Sequence, residues 1–439
     1  MKSIYKLILA LILLPAAAVH GQKTDKSNGD SLSLHAILSE VIQNYPSIKK
    51  AQTDVVSSEA KIDLAKTAYL PDVYLSGSFT FLGPTSTLSL NGNSFQLYPA
   101  DMYSAAVNIS QSIYDFGKAD KSITFEKQNS ELVGLSIDLL KQKLSGMMIG
   151  NFYSIVFLQE AIKIKNEELT TLNEHLVFVL KKVATGSATN YEVLTTKVRI
   201  SAIENQKTDL INALQIQLGQ LNSFLGKPQE TLLTVKNEVL APRILASNDS
   251  LFTFAFDHRN EMKIARQKST LADTRLKMAN VQNNPSLNAF GTGGIKNGYF
   301  NDKYQDVGKL NFAVGVSIKV PLFDANRSKY TKIQANSDIQ GNVQETELAR
   351  RTIVNEVVES KANAQSALKK VHQSELQLEQ ALEAYSLAET NFRAGAITNL
   401  DMLDSSTSVA ESRLALLKTK IDYSASILKL KLALGEQIY

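Results

Sequence analysis

Two stretches decide how this chain folds: ATGSATNYEVL at residues 184–194 and FRAGAITNLDMLD at residues 392–404. In each, a glycine (Gly186, Gly395) follows a long Pro-free run, where a helix ends in a left-handed residue. Asn190 and Asn399 come four residues later and are expected to cap a returning helix. Glu192 and Asp401 follow two residues on, in a first turn where the helix dipole favours acids. Each stretch therefore reads as a tight turn between two antiparallel helices, and the chain writes it twice, 209 residues apart.

The flanking segments are long. From Lys118 to Ala184 there is no Pro, and only Gly134, Gly146 and Gly150 interrupt. At about 1.5 Å per residue such a helix approaches 100 Å. Apolar positions recur every three and four residues at Leu169, Leu172, Leu176, Val179 and Val183, and at Leu214, Leu218, Leu221 and Leu225 on the return. The second copy offers Ala364, Leu368, Val371, Glu375, Leu378, Leu382 and Tyr385, then Leu403, Thr407, Ala410, Leu414, Leu417, Ile421, Ser424 and Leu428. A sustained 3,4 spacing is a coiled-coil seam.

The duplication extends to the rest of the chain. NYPSIK at 44–49 matches HRNEMK at 258–263, and Leu70-Pro71 matches Asn284-Pro285, both at an offset of 214. Asp115 and Asp324, Gly186 and Gly395, and Leu225-Gly226 and Leu434-Gly435 share an offset of 209. The five-residue slip falls between the Pro and the Asp, where the sequence alternates with period two. Val73, Leu75, Phe79 and Phe81 oppose Asp72, Ser76, Ser78 and Thr80; Tyr103, Ala105, Val107, Ile109 and Ile113 oppose Ser104, Asn108, Ser110 and Ser112. Leu310, Phe312, Val314, Val316, Ile318 and Val320 oppose Asn311, Ala313, Gly315, Ser317 and Lys319. The pattern predicts strands near 71–82, 102–114, 285–294 and 310–323, each pair joined by a polar loop (83–100 and 295–309). The third strand is diluted by Gly291, Gly293 and Gly294. One greasy and one wet face suits a tilted membrane strand or a soluble sandwich packed on helices. Tyr69, Tyr74, Tyr98, Tyr103, Tyr299, Phe300 and Tyr304 near the strand ends suit a membrane interface.

Residues 1–21 read as a secretory signal: Lys2 and Lys6, an apolar run from Leu7 to Val19 too short to span a bilayer, and small residues before cleavage near Gln22. The mature chain then divides into a first repeat at 30–227, a linker at 228–251 and a second repeat at 252–438. Loss of two lysines and no acid lowers the formal charge from +4 to +2, no footprint for nucleic acid. Cysteine is absent, so the fold is no disulfide scaffold.

Catalytic signals fail. Ser47-Ile48-Lys49-Lys50 is formally S-x-x-K but has no companion motif. His20, His35, His175, His258 and His372 are scattered, without metal-ligand spacing. Phe290 to Gly294 lacks the strand-to-helix setting of a phosphate loop. No catalytic residue, metal or cofactor is assigned.

Four strands leave two edges that must be paired, and only closed barrels satisfy the backbone in lipid. Three chains would supply twelve strands and six helical hairpins. The order of elements and the two turn motifs resemble the TolC-like outer-membrane factor (outer membrane efflux protein) family over about residues 30–438. The resemblance implies a mostly α fold with a transmembrane β part: a homotrimeric helical barrel under a 12-stranded β-barrel, in the outer membrane, with a long periplasmic extension. It implies a passive exit duct of a tripartite efflux pump or type I secretion system, with outer-membrane lipid, a periplasmic adaptor and an inner-membrane pump of RND or ABC type as partners. It also implies that Asp401, Asp404 and Glu192 ring the channel constriction at the periplasmic tip, and that Gly186, Ser187, Ala188, Gly395, Ala396 and Ile397 form adaptor-docking turns. Phe392 stands where the family often has a Tyr that hydrogen-bonds the tip closed, and Ile397 where some members have Arg. These departures remove that latch and point to a different or looser closure. The rival reading is a periplasmic coiled-coil adaptor or scaffold without a pore.

Overall fold

The computed structural model describes residues 31–240, 248–298 and 308–439. The signal segment, Tyr299, Phe300 and Tyr304, residues 241–247 of the linker and residues 299–307 of the second polar loop lie outside the described residues.

Two helices run for 67 residues, α3 (Lys118–Ala184) and α7 (Arg327–Arg393), and each returns as a helix of 36, α4 (Asn190–Leu225) and α8 (Asn399–Leu434). Ahead of each pair lie two shorter helices, α1 (Leu34–Asn44) and α2 (Pro46–Lys66) in the first copy, α5 (Asn248–His258) and α6 (Asn260–Val281) in the second. The helix α5 thus begins inside the stretch read as linker. That stretch also carries Val235, buried and bridged to Leu32, so part of it is fixed to the start of the first copy.

Local chemistry sets these boundaries. Pro46 opens α2, where its missing N–H costs nothing. Both long helices start from a corner with two consecutive left-handed residues, Phe116-Gly117 and Ala325-Asn326. In each corner an aspartate accepts helix-start N–H groups: Asp115 from Gly117 (3.0 Å) and Ala119 (2.5 Å), Asp324 from Ser328 (2.9 Å). Asp324 also accepts from Asn283. These bonds hold its carboxyl down to about 2.

The four main strands, β1 (Asp72–Phe81), β4 (Asp101–Tyr114), β5 (Ser286–Lys296) and β6 (Lys309–Lys319), form one antiparallel sheet in the order β1-β4-β5-β6. Pairing aligns Leu75 with Val107, Gly293 and Phe312, and Val73 with Ile109, Gly291 and Val314, so one face is apolar across all four strands. That face is bare: Leu75, Phe79, Leu310, Phe312 and Val314 are 69–87% exposed. On the other face Asn108 donates to Ser76 (2.8 Å) and Ser78 meets Ser104 (2.9 Å). Of the glycines that blur the β5 pattern, Gly294 has a packing role, whereas a Cβ on Gly291 or Gly293 would meet nothing within 4 Å. A Cβ on Gly294 would overlap the Ala105 carbonyl oxygen of β4. Across the ladder, Phe290 lies on Gly315, whose Cβ would come within 2.6 Å of the ring.

Within the polar loop at 83–100, Thr87–Leu90 (β2) and Asn93–Gln96 (β3) form a separate hairpin around Asn91-Gly92, both with positive φ. The Asn-Gly pair between short alternating runs is a hairpin signal that the sequence carries.

The helices pack side by side. Above, α3 lies between α2 and α6, and α6 also touches α7; below, α3 lies between α4 and α8, and α8 touches α7. Ion pairs Lys268–Glu345 and Arg275–Asp338, both 2.8 Å, tie α6 to α7. The largest core joins Ile37, Leu38 and Val41 of α1 to Ile48, Met148, Phe152 and Leu221. Along α7 the buried line is Ala364, Ala367, Val371, Ser374 and Phe392, whereas Glu375 and Leu382 of the expected seam are exposed. Small side chains take the line because they let α7 approach α8 closely, which turns the longer neighbours outward. Among the described residues no helix is long and apolar enough to cross a membrane.

Candidate functional site

Both helical hairpins end at one tip, and the two turns have the same construction. Gly186 and Gly395 adopt φ of 72° and 77°. Each is followed by paired closing bonds: Gly186 N–H to Val183 O (3.0 Å) and Ser187 N–H to Lys182 O (2.8 Å); Gly395 N–H to Phe392 O (3.1 Å) and Ala396 N–H to Asn391 O (2.8 Å). A positive φ strains any L side chain, and the space around both glycines is open. The backbone conformation is therefore what requires glycine.

The caps differ from expectation. Thr189 and Thr398, not Asn190 and Asn399, are the capping residues. Their backbone is extended, so a hydroxyl there reaches the N–H three residues on, while the asparagines are already helical. Asp401 closes the box: its N–H donates to Thr398 Oγ1 (3.2 Å), and its Oδ2 accepts from Thr398 N (3.0 Å) and Oγ1 (2.6 Å). Those bonds from Thr398 lower the carboxyl of Asp401. Glu192 makes the same box with Thr189, with Oε1 3.3 Å from Thr189 N. Asp404 forms a 2.6 Å ion pair with Arg199, which links α8 to α4.

Freed from capping, Asn399 does something else. It is 5% exposed, and its Nδ2 donates to Glu192 O (3.3 Å), Thr195 Oγ1 (3.3 Å) and Thr196 Oγ1 (3.2 Å) of α4. Its Oδ1 lies 2.7 Å from His175 Nε2 of α3. With the amide donors directed to α4, the oxygen accepts and the imidazole donates. One buried side chain thus ties the second hairpin to both helices of the first. Asn190, its counterpart, is exposed.

Phe392 completes the joint. It is 3% exposed, packed with Val179, Val193 and Met402, 5.1 Å from the His175 ring and 6.0 Å from Phe178. The Lys182 ammonium stands 4.6 Å over its ring. The missing hydroxyl therefore leaves no loose contact within the chain, because the ring is fully enclosed. His175 and Asn399 are the residues that sequence reasoning missed. The former was weighed only as a metal ligand, the latter only as a cap, and no local pattern marks a contact 224 residues apart.

A sheet with one bare apolar face, set on two helical hairpins whose longer arms run about 100 Å, fits a duct-type protein of the outer membrane. The family profile described as "Outer membrane efflux protein" matches residues 37–227 and 254–436, and the chain belongs to this family. It is similar to outer membrane protein TolC of Vibrio cholerae, 20% identical over 92% of this chain and 90% of that protein. It is also similar to the cation efflux system protein CusC of Escherichia coli K12, 24% identical over 91% and 85%. The crystal structure of VceC, an outer membrane protein of Vibrio cholerae, shares the fold with a TM-score of 0.75 at 19% identity, over 92% of this chain and 97% of that one. The protein is an outer-membrane efflux channel whose helices extend into the periplasm, and the reading as a pore-less adaptor or scaffold has no support.

Proposed function

We propose that three copies close one barrel and that the helical tip is the gate of a passive exit duct. The observation that carries this is the pair of open sheet edges. The strands alternate in direction, so edge strands β1 and β6 run antiparallel to each other. A second copy can therefore continue the sheet without breaking its pattern, and closure removes edges that lipid would leave unsatisfied. Three copies of four strands make twelve. The repeats at 30–227 and 252–438, joined by 228–251, would each contribute one hairpin to a helical barrel. Exposed Tyr191, Leu194 and Val198 on α4 (61–74%) and Leu376 and Leu387 on α7 (54% and 61%) suit burial between neighbours.

At the tip, Asp401, Asp404 and Glu192 would ring the constriction and favour cations. Asp401 and Asp404 are exposed, and the capping bonds keep Asp401 ionised. Opening would break the His175–Asn399 and Arg199–Asp404 links. The turns at Gly186-Ser187-Ala188 and Gly395-Ala396-Ile397 would receive a periplasmic adaptor coupled to an inner-membrane pump of RND or ABC type. An efflux pump and a type I secretion system would use the same duct. No chemistry is assigned to the channel, and no cofactor.

Single-channel recording in a planar bilayer tests the gate. Wild type should give cation-selective steps, and Asp401→Ala/Asp404→Ala should lose selectivity or enlarge the steps. Unchanged steps would reduce these acids to their capping and pairing roles. Gly395→Val should abolish efflux complementation while trimers persist on a native gel, and normal resistance would count against docking through this turn.

A further inference from the structure

The long helices form a layer in the order α4, α3, α8, α7, and α1, α5 and the segment after Val235 cover one face of it. On that face α1 packs on Met148 and Phe152 of α3. Tyr153 Oη donates to Glu238 O (3.1 Å), and Leu240 N–H donates to Ser424 Oγ of α8 (2.9 Å). At about 100° per residue, Gly150 and Ser154 of α3, Lys418 and Lys429 of α8, and Asn363 and Lys370 of α7 fall on the opposite face. A barrel closed from such layers carries its covering elements on the convex outside, where a second shell has room. The opposite face then lines the duct.

Two grooves open on that face. The larger, about 530 Å³, spans α4, α3 and α8; Phe157, Leu158 and Ile216 give it an apolar lining, and Lys418 and Lys429 border it. Ile216 is 54% exposed, an apolar side chain left bare. The smaller, about 280 Å³, lies between α7 and α8, with Lys370, Lys429 and the hydroxyls of Ser360, Ser366, Thr419 and Ser426. Asp422, Ala425 and Lys429 line both, so the two are continuous.

The charge there is unbalanced. Lys370, Lys418 and Lys429 are exposed, and among the described residues none of them makes an ion pair or hydrogen bond. Elsewhere on α8 cations are matched: Arg413 with Glu167 (2.6 Å), Lys420 with Glu375 (3.1 Å) and Lys431 with Glu436 (3.8 Å). Asp422 is the acid in the groove linings, so three lysines against one aspartate leave a surplus of two positive charges per copy. Lys143, Asp209 and Glu359, all exposed, stand four or seven residues before lining positions and continue the face beyond the grooves. Down α8 the heptad line from Lys418 passes Glu411 and reaches Asp404, so the sign reverses toward the tip.

We infer that the joined grooves are a binding station inside the duct for amphipathic organic anions. The apolar body rests on Phe157, Leu158 and Ile216, and a carboxylate, sulfate or phosphate head meets Lys418, Lys429 and Lys370 with the neighbouring hydroxyls. Grooves of about 300–1,000 Å³ hold a drug-sized molecule. An anion with an apolar body gains both charge contact and apolar burial; a cation of the same shape gains only the second, and an inorganic anion only the first. Because the grooves stay open to the duct, capture is brief and raises the local concentration of anionic cargo.

The inference rests on the channel reading, and two measurements separate them. The probe is naphthalene-2-sulfonate, with 1-naphthylmethylammonium as its cationic counterpart. Full-length wild type and Lys370→Gln/Lys418→Gln/Lys429→Gln are compared by equilibrium dialysis in nonionic detergent against protein-free micelles. Both are also recorded in planar bilayers with probe added on the β-barrel side, from which it reaches the grooves without passing the tip. Wild type is expected to bind the sulfonate and to show current interruptions that grow more frequent with its concentration. The triple variant should bind at least about tenfold more weakly, the combined loss of several screened charge contacts. Ile216→Ser, which keeps the charges, should weaken binding about threefold. No sulfonate binding by wild type, equal binding by wild type and the triple variant, or equal binding of the two probes by wild type would overturn the station. Wild type that binds the sulfonate but never conducts would sink the channel reading and leave the grooves as an anion site.

Discussion

The two copies share one backbone plan and hold its upper corner by opposite chemistry. In the first copy the α1–α2 corner carries Tyr45, whose ring lies 5.5 Å from Phe224 near the end of α4. In the second, Arg259 occupies the matching corner between α5 and α6. It is 4% exposed, bonded to Glu261 (2.7 and 2.8 Å), Glu356 (2.5 Å) and the Ala433 carbonyl (3.1 Å). The helix-ending glycines diverge accordingly. A Cβ on Gly226 would meet nothing within 4 Å, whereas on Gly435 it would stand 2.8 Å from the Arg259 nitrogen. Duplication thus preserved the geometry, while the contacts that hold it were replaced: an apolar corner tolerates adjustment, and a buried guanidinium fixes both distance and direction.

The largest test of this contrast is at the corner itself. Arg259→Ala is expected to cost about 3 kcal/mol, because several charge-assisted bonds vanish together. Tyr45→Ala, at a half-buried ring, should cost about 1–2 kcal/mol. Thermal unfolding of the purified protein decides, and equal losses would break the comparison. Next come the glycines. Gly226→Ala should cost about 1 kcal/mol, the strain of a left-handed alanine. Gly435→Ala should exceed about 2 kcal/mol, because the α5–α6 backbone must also shift.

At the tip, the same position has different fates in the two copies. Asn399→Ala should cost about 2 kcal/mol by leaving His175 and α4 groups without their partner, and should raise the open fraction of the channel. Asn190→Ala should stay within about 0.5 kcal/mol. A harmless Asn399→Ala would sink the stapling role.

The smallest effect concerns acid. Asp324 has its carboxyl lowered to about 2 against an ordinary 3.8, so its contribution is full above about pH 4 and is lost as pH falls toward 2. In Asp324→Asn, the decline in unfolding temperature between pH 4 and pH 2 should be shallower than in wild type. An identical decline would assign the acid sensitivity elsewhere.

Much of this molecule was legible because its determinants are local. Gly186, Gly395 and the Pro-free runs reveal turns and helices through backbone sterics, and alternation reveals strands through the pleat. Repetition at fixed offsets then checks each reading against its twin. The misses have a common cause. Asn399 carries the right residue type for a cap, and only the position of Thr398 one residue earlier, with its extended backbone, assigns the cap elsewhere. The seam of α7 follows Ala367 and Ser374, because helix proximity and not hydropathy selected the small side chains there.

The sequence by itself determined the duplicated plan, the four long helices with their glycine ends, and the strands with one greasy face, since each follows from the conformational preferences of a few adjacent residues. Only the tertiary structure decided which distant side chains meet: Asn399 with His175 and Phe392 with the first hairpin, across the copies, and Arg259 with Glu356 and Ala433 within the second. Those contacts bridge 97 to 224 residues, and their energies depend on burial that no local pattern encodes.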